Sequence, residues 1–130
     1  MKKYLKLFVG AFLFGAVLCA GRAFAQDPME VGPGIYSLLF ENERVRVMSI
    51  TFKPGDKIAM HSHPDHVTSL ITGGTLKLSY PDGSSKELAG KAGEAFWIPA
   101  ESHAAENVGT TEVIGIVVEL KESAPVQAEQ

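Results

Sequence analysis

The sequence predicts an all-β protein, a small antiparallel barrel or sandwich. Its apolar and alternating segments are short, and turn-forming residues separate them at spacings of about 8–12 residues. Almost no stretch shows the periodicity of an amphipathic helix. Because exposed strand edges invite aggregation, a sheet of such short strands is expected to close on itself.

The alternation is clearest at 44–52, where Met48, Ile50 and Phe52 share one face of a predicted strand. The segment 95–98 is a run of apolar residues, which indicates a buried strand. The remaining strands are predicted from similar short patterns at 58–63, 66–72, 75–80, 85–88, 103–108 and 112–120.

Glycine and proline place the turns between these strands. The clearest is 81–84, because Gly83 can adopt a positive φ and so close a hairpin. Other turns are predicted at 53–56, 64–65, 73–74 and 90–93.

The first 25 residues predict a secretory signal peptide. Three lysines precede an apolar run at 7–20, and Ala23-Phe24-Ala25 resembles a cleavage site. A membrane anchor is the alternative, but the run falls short of the roughly 20 residues that a spanning helix needs. A lipid anchor at Cys19 is disfavoured by the bulky Leu18 before it. The predicted organisation is therefore a signal peptide at 1–25, a barrel domain at 26–121 and a loose polar tail at 122–130. Its location would be periplasmic or secreted.

The predicted mature chain is acidic and has no cysteine. The leader removes four of the 12 basic residues and none of the 15 acidic ones, which leaves 8 against 15 and a net charge of −7. That balance argues against binding to nucleic acid or to an anionic membrane surface. The only cysteine, Cys19, lies in the leader, so no thiolate remains for catalysis or metal binding.

The chain has four histidines, and their spacing predicts a metal site. His61 and His63 alternate on a predicted strand, so both imidazoles point to the same face. One residue from a neighbouring strand would complete a site with three ligands. His66 follows closely, and His103 is the only distant one. The alternative is that these are surface or hydrogen-bonded core histidines.

The surrounding residues resemble the two motifs of the cupin family. Gly55, the pair His61 and His63, His66 and Gly73 resemble the first motif. The second is matched by Gly93, Pro99, His103 and Asn107. The resemblance implies a double-stranded β-helix, or jelly-roll, barrel, and it implies His61, His63 and His103 as metal ligands. It covers most of the predicted mature chain, but it is weak evidence for a particular reaction, because this fold hosts many chemistries.

Two positions depart from the cupin pattern. The interval from Pro99 to His103 is one residue short, which is a small change in a turn. More important, His66 stands where the family has a glutamate ligand. We expect His66 to ligate the metal directly, because His66, Thr68 and Leu70 share a face. Alternatives are a pocket histidine that only forms hydrogen bonds, or an oxygen ligand from Asp65.

The predicted ligand set is thus His61, His63, His66 and His103. Four neutral imidazoles suit iron, zinc, copper or nickel, and suit manganese less well. Glu101 and Glu106 are expected to be solvated, although Glu106 is a candidate for orienting His103.

The predicted pocket is a small apolar cavity. Of the adjacent Phe96 and Trp97, one is expected to line the cavity and the other to pack outside, with core packing favoured for Trp97. We expect a metal-dependent, oxygenase-type enzyme acting on a small organic molecule. The alternative is a non-catalytic periplasmic protein that binds metal or a small ligand. A homodimer is expected, because edge strands near the termini need cover.

Overall fold

The computed structural model describes residues 26–122, which form two antiparallel β-sheets. The predicted leader and residues 123–130 of the predicted tail lie outside this range. No helix within it has the length and apolar character needed to span a membrane. The elements are α1 Pro28–Val31, β1 Tyr36–Glu41, β2 Val45–Phe52, β3 Lys57–His63, β4 His66–Thr72, β5 Gly74–Ser79, β6 Ser85–Gly90, β7 Ala95–Ile98, β8 Glu101–Asn107 and β9 Val113–Leu120.

The strand order is that of a jelly-roll barrel. One sheet has the order β1-β2-β9-β4-β7 and the other has the order β3-β8-β5-β6. Strands far apart in sequence, such as β2 and β9 or β3 and β8, are therefore neighbours. The predicted all-β antiparallel barrel is confirmed.

The core lies between the two sheets. Met48, Ile50 and Phe52 point into it from β2, as the alternation predicted, and each is at most 3% exposed. They pack with apolar side chains from both sheets, which include Ile58, Leu70, Leu78, Ala105, Val113 and Val117. The histidines also lie on the inward faces of the two sheets, on β3, β4 and β8.

Two elements were not predicted from the sequence. The helix α1 is a single turn that begins after Asp27, whose side chain accepts a hydrogen bond of 2.8 Å from the amide of Met29. The strand β1 lies at a sheet edge, and only Tyr36 in it is buried. Because both of its faces are otherwise exposed, it lacks the alternation that identified the other strands.

The predicted turns are present. Two of their glycines are needed for different physical reasons. Gly83 has a φ of 85° in the hairpin between β5 and β6, as predicted. Gly73, by contrast, is needed for space, because a Cβ there would lie 2.6 Å from the carbonyl oxygen of Gly90.

Candidate metal centre

Three histidine side chains meet between the two sheets. His61 and His63 are on β3, and His103 is on the neighbouring β8 directly opposite His61. One nitrogen from each ring lies within 4.8 Å of the others. All three side chains are buried, with exposed fractions of 1%, 4% and 5%. These three residues, called the histidine cluster below, are positioned to hold a metal ion.

All four histidines make the same kind of contact through Nδ1. In each ring Nδ1 donates to an oxygen and therefore carries a proton. Burial lowers the pKa of His61, His63 and His103, so in these three rings Nε2 is the acceptor of a neutral imidazole. A neutral ring with a free Nε2 is the form that binds metal ions. The acceptors are the Ala59 carbonyl for His61 (2.8 Å), the Glu119 carboxylate for His63 (2.6 Å), the Pro64 carbonyl for His66 (2.8 Å) and the Glu101 carboxylate for His103 (2.7 Å).

A β-bulge in β3 supplies the acceptor for His61. The register between β3 and β8 shifts between Ile58 and His61. The shift interrupts the regular ladder at Ala59, and its carbonyl accepts the Nδ1 proton of His61. The bulge therefore fixes the ring orientation of one member of the histidine cluster.

The Nε2 atom of His61 has no hydrogen-bond partner among residues 26–122, although it is buried. An unsatisfied buried acceptor is costly, and native structures contain few of them. Burial also lowers the pKa of His61 to about 4, so the ring is neutral near pH 7. A cation placed between the three rings would satisfy this lone pair, so the residues fit a metal ion.

A buried charge network holds His63. Glu119 on β9 is 2% exposed and accepts hydrogen bonds from Nδ1 of His63 and, at 2.7 Å, from Nε of Arg46. Arg46 also pairs with Asp27. Burial would raise the pKa of Glu119, but the hydrogen bonds from His63 and Arg46 outweigh it and lower that pKa. The carboxylate therefore stays ionised and holds the proton of His63 on Nδ1.

Glu119 was missed in the sequence, although a signal was present. In β9 the inward positions alternate with the outward ones, and they are Val113, Gly115, Val117 and Glu119. A glutamate at a position that should be apolar is either paired or functional.

His66 lies beside the histidine cluster but is not a member of it. It starts β4 and shares the inward face with Thr68 and Leu70, as predicted. Its ring centroid is 4.7 Å from that of His63. Asp65, the oxygen ligand considered as an alternative, is exposed and accepts a hydrogen bond of 2.7 Å from the Ala100 amide. It is therefore not placed to contribute to the cluster.

One expectation about glutamates was wrong, and one alternative is excluded. Glu101 is not a solvated charge, because its carboxylate, 24% exposed, accepts from Nδ1 of His103. Glu106 does not orient His103 and instead pairs with Lys57 at 3.1 Å. The reason is the alternation of β8, which puts residues 101 and 103 on the inward face and 106 on the other.

The two adjacent aromatic residues of β7 face opposite ways, and core packing of Trp97 was the wrong expectation. Phe96 packs against the core, whereas Trp97 is 55% exposed. The register explains this, because Phe96 pairs with the buried Thr68, and Trp97 pairs with Val67 on the outer face.

Tyr36 is a further polar residue at the site that sequence reasoning missed, because β1 itself was not predicted. Its hydroxyl lies 3.4 Å from Nε2 of His63, and the side chain is buried. Its ring packs against His61 and His63, with centroid distances of 5.8 Å to each. Burial, together with the negative charge of Glu119, raises the pKa of Tyr36.

Comparisons with known proteins agree with this architecture. Residues 48–119 match the family model described as a cupin domain. A cupin domain from Bordetella pertussis is 31% identical, with a TM-score of 0.62 over 68% of this chain and 93% of that one. A conserved protein from Klebsiella pneumoniae with a double-stranded β-helix domain is 28% identical, with a TM-score of 0.53 over 68% and 84%.

A more distant structure shows the same fold. An RmlC-like cupin family protein from Methanocaldococcus jannaschii is 20% identical, with a TM-score of 0.52 over 66% of this chain and 78% of that one. A comparison with curated proteins gave no match. Because the family model spans more than half of the residues, this chain belongs to the cupin family.

Proposed function

We propose that this cupin is an exported, metal-dependent enzyme of the oxygenase type that acts on a small organic molecule. Its metal ion is held by Nε2 of His61, His63 and His103. The observation that carries the proposal is the histidine cluster itself, three buried neutral rings of which one Nε2 has no hydrogen-bond partner among residues 26–122. A cavity adjoins the cluster and gives a ligand a place beside it.

The residues of the chain prepare this site before any ligand arrives. Glu119 and Glu101 accept the Nδ1 protons of His63 and His103, which makes the opposite nitrogens better donors to a cation. The apolar side chains around the cavity limit the access of water. A bound divalent ion would supply Lewis acidity and, if it is redox-active iron or copper, electron transfer. Nitrogen ligands favour iron, zinc, copper or nickel over manganese.

The second candidate function is a non-catalytic protein that binds metal or a small ligand in the periplasm. The position of His66 favours it, because a fourth imidazole 4.7 Å from His63 could complete a closed set of four nitrogens. Direct ligation by His66 remains a prediction. It distinguishes the two functions, since an enzyme needs a coordination position that is open to substrate.

Metal binding by two alanine variants tests this distinction. If the site is catalytic with three protein ligands, His61→Ala should abolish tight binding. His66→Ala should keep one ion per chain, with a loss of about 10–100-fold at most. Equal losses in the two variants would support four ligands and the binding function. His66→Glu adds a carboxylate, and under the four-ligand arrangement it should shift preference toward manganese.

Export belongs to the same proposal. The carbonyl of Gln26 accepts a hydrogen bond of 3.0 Å from the Ser62 amide, so the chain is part of the folded domain from its expected mature start. Mass spectrometry of exported protein should find a chain that begins at Gln26. A start at a lipidated Cys19 would instead place the protein on a membrane surface.

A further inference from the structure

The cavity beside the histidine cluster is very small. Its volume is about 40 Å³, and its polar lining includes Tyr36, Thr68 and the rings of His63, His66 and His103. Most of the remaining lining is apolar, from residues such as Leu76, Leu88 and Ile98. One water needs roughly 10–15 Å³ of such space, so the cavity has room for about three waters. A drug-sized molecule needs several hundred cubic ångströms and would not fit.

A wider recess lies next to this cavity. The recess has a volume of about 150 Å³ and shares Leu78, Leu88 and Ile98 with the inner cavity. Tyr80 and Lys86 belong to the outer recess alone. A molecule can therefore place only a few atoms beside the histidines, while any larger part of it stays outside.

Tyr36 has a hydroxyl that metal binding would leave without an acceptor. Nδ1 of His63 donates to Glu119, so Nε2 of His63 is an acceptor, and the Tyr36 hydroxyl, 3.4 Å away, is its donor. In the proposed function this same Nε2 binds the ion. The buried hydroxyl must then find another acceptor, because an unsatisfied donor in the interior is costly. It lines the inner cavity, where a bound ligand can supply that acceptor.

We propose that Tyr36 is the specificity-determining donor of this site. Its hydroxyl binds an acceptor oxygen of a ligand whose inner head group is no larger than a carboxylate. This inference rests on the proposed metal site and names the class of ligand that the site takes. A small organic carboxylate with an unbranched atom next to its head group satisfies this size limit.

The test uses the mature protein loaded with Co(II), whose visible spectrum reports ligands at the ion, and formate as the probe. Wild-type protein should bind formate with a spectral change. Tyr36→Phe should weaken formate binding about tenfold, because a hydrogen bond to a charged group is lost. Its Co(II) affinity should stay within about threefold, since no metal ligand is removed. The control is Tyr80→Phe, which removes a hydroxyl outside the inner cavity and should leave formate affinity unchanged.

The size limit is tested on the wild type alone, so it does not depend on the folding of a variant. Pivalate carries a tert-butyl group directly behind its carboxylate and should bind at least about tenfold more weakly than formate, because branching at that point does not fit the cavity. Equal affinity for pivalate would overturn the size limit. Unchanged formate affinity in Tyr36→Phe would overturn the role of the hydroxyl. Stoichiometric Co(II) binding without any response to formate would overturn this inference and leave the metal site standing. Absence of Co(II) binding would overturn both.

Discussion

At the scale of single residues, Glu119 contributes most to fixing the histidine cluster. It joins β9 to β3 through His63 and to β2 through Arg46, and both hydrogen bonds are 2.7 Å or shorter. Arg46 compensates the buried negative charge, so the carboxylate can remain ionised. The imidazole of His63 therefore has a fixed tautomer and orientation before any ion binds.

The substitution Glu119→Gln tests this role. The amide keeps the size of the side chain but loses the charge that increases the basicity of His63. We expect metal affinity to fall about 10–100-fold, as measured by competition with a chromophoric chelator.

Glu106→Gln is the matched control, since it removes the same charge from a residue that pairs with the exposed Lys57. The metal affinity of this variant should be nearly the same as that of the wild type. Similar losses in both variants would mean that net charge, and not the contact with His63, determines affinity.

His61 and His63 could be predicted because their spacing on one strand is local, and His103 because it matches a family motif. Their partners Glu119 and Tyr36 could not be predicted, because each of these contacts joins distant parts of the chain. Glu119 is 56 residues from His63, and Tyr36 is 27 residues from it. Glu101 is only two residues from His103, but its role depends on the inward face of β8, which the sequence alone left open.

At the scale of elements, the turn from β4 to β5 shows how closely two backbones approach. Gly73 faces the backbone of residues 90 and 91, and a Cβ would lie 2.6 Å from the Gly90 oxygen and 2.9 Å from Cα of Lys91. Neither atom belongs to a flexible side chain that could turn aside. The predicted turn glycine is therefore required by packing.

We expect Gly73→Ala to lower the free energy of unfolding by about 1–3 kcal/mol, because the backbone must shift to admit the methyl group. Urea unfolding followed by circular dichroism measures this change. Ser85→Ala, at an exposed position of β6, should stay within about 0.5 kcal/mol of the wild type. An unchanged midpoint for Gly73→Ala would show that the turn can relax freely.

Strands β2 and β4 could be predicted because each alternates with one buried face. β4 has the predicted bounds, and β2 has the predicted inward residues. β7 has the predicted bounds because its residues form an apolar run, but the expectation of a buried strand was wrong, since β7 lies at a sheet edge and none of its residues is buried. Strand β1 could not be found in this way, because a strand at a sheet edge with one buried residue gives no period of two. The single turn of α1 is too short to give a helical pattern.

At the scale of the whole molecule, the buried histidines make stability depend on pH. Burial lowers the pKa of His61 to about 4, and it also lowers the pKa of His63 and His103. Unfolding exposes these rings and returns them toward about 6.5, so the unfolded chain binds more protons between these values. The stability of the metal-free protein should therefore be greatest above about pH 6.5 and fall as the pH decreases toward 4.

The lowered pKa of Glu119 acts in the same direction at still lower pH, because its ionised form is the one that the folded state stabilises. Urea unfolding of chelator-treated protein at pH 7 and pH 5 measures the difference. Each ring contributes at most about 1.4 kcal/mol per pH unit within the window. Greater stability at pH 5 than at pH 7 would contradict the neutral state of the cluster.

The edge strand β1 leads to the last prediction, a homodimer. β1 pairs with β2 on one side, and within residues 26–122 no strand pairs with its other side. It also carries three large apolar side chains that are 46–56% exposed, Leu38, Leu39 and Phe40. An uncovered edge of this kind favours pairing with a second chain, so we propose that two copies associate along β1.

Light scattering of the wild type should give the mass of a dimer at concentrations on the order of tens of micromolar, where a weak dimer still forms by mass action. Phe40→Lys should shift the protein toward monomer, because a charge replaces an apolar contact at the edge. Ile71→Lys is the matched control, since Ile71 is 56% exposed, close to the 54% of Phe40, but lies on β4, away from this edge. A monomeric wild type would rule out the dimer. A dimer that Ile71→Lys disrupts and Phe40→Lys does not would place the interface elsewhere on the barrel.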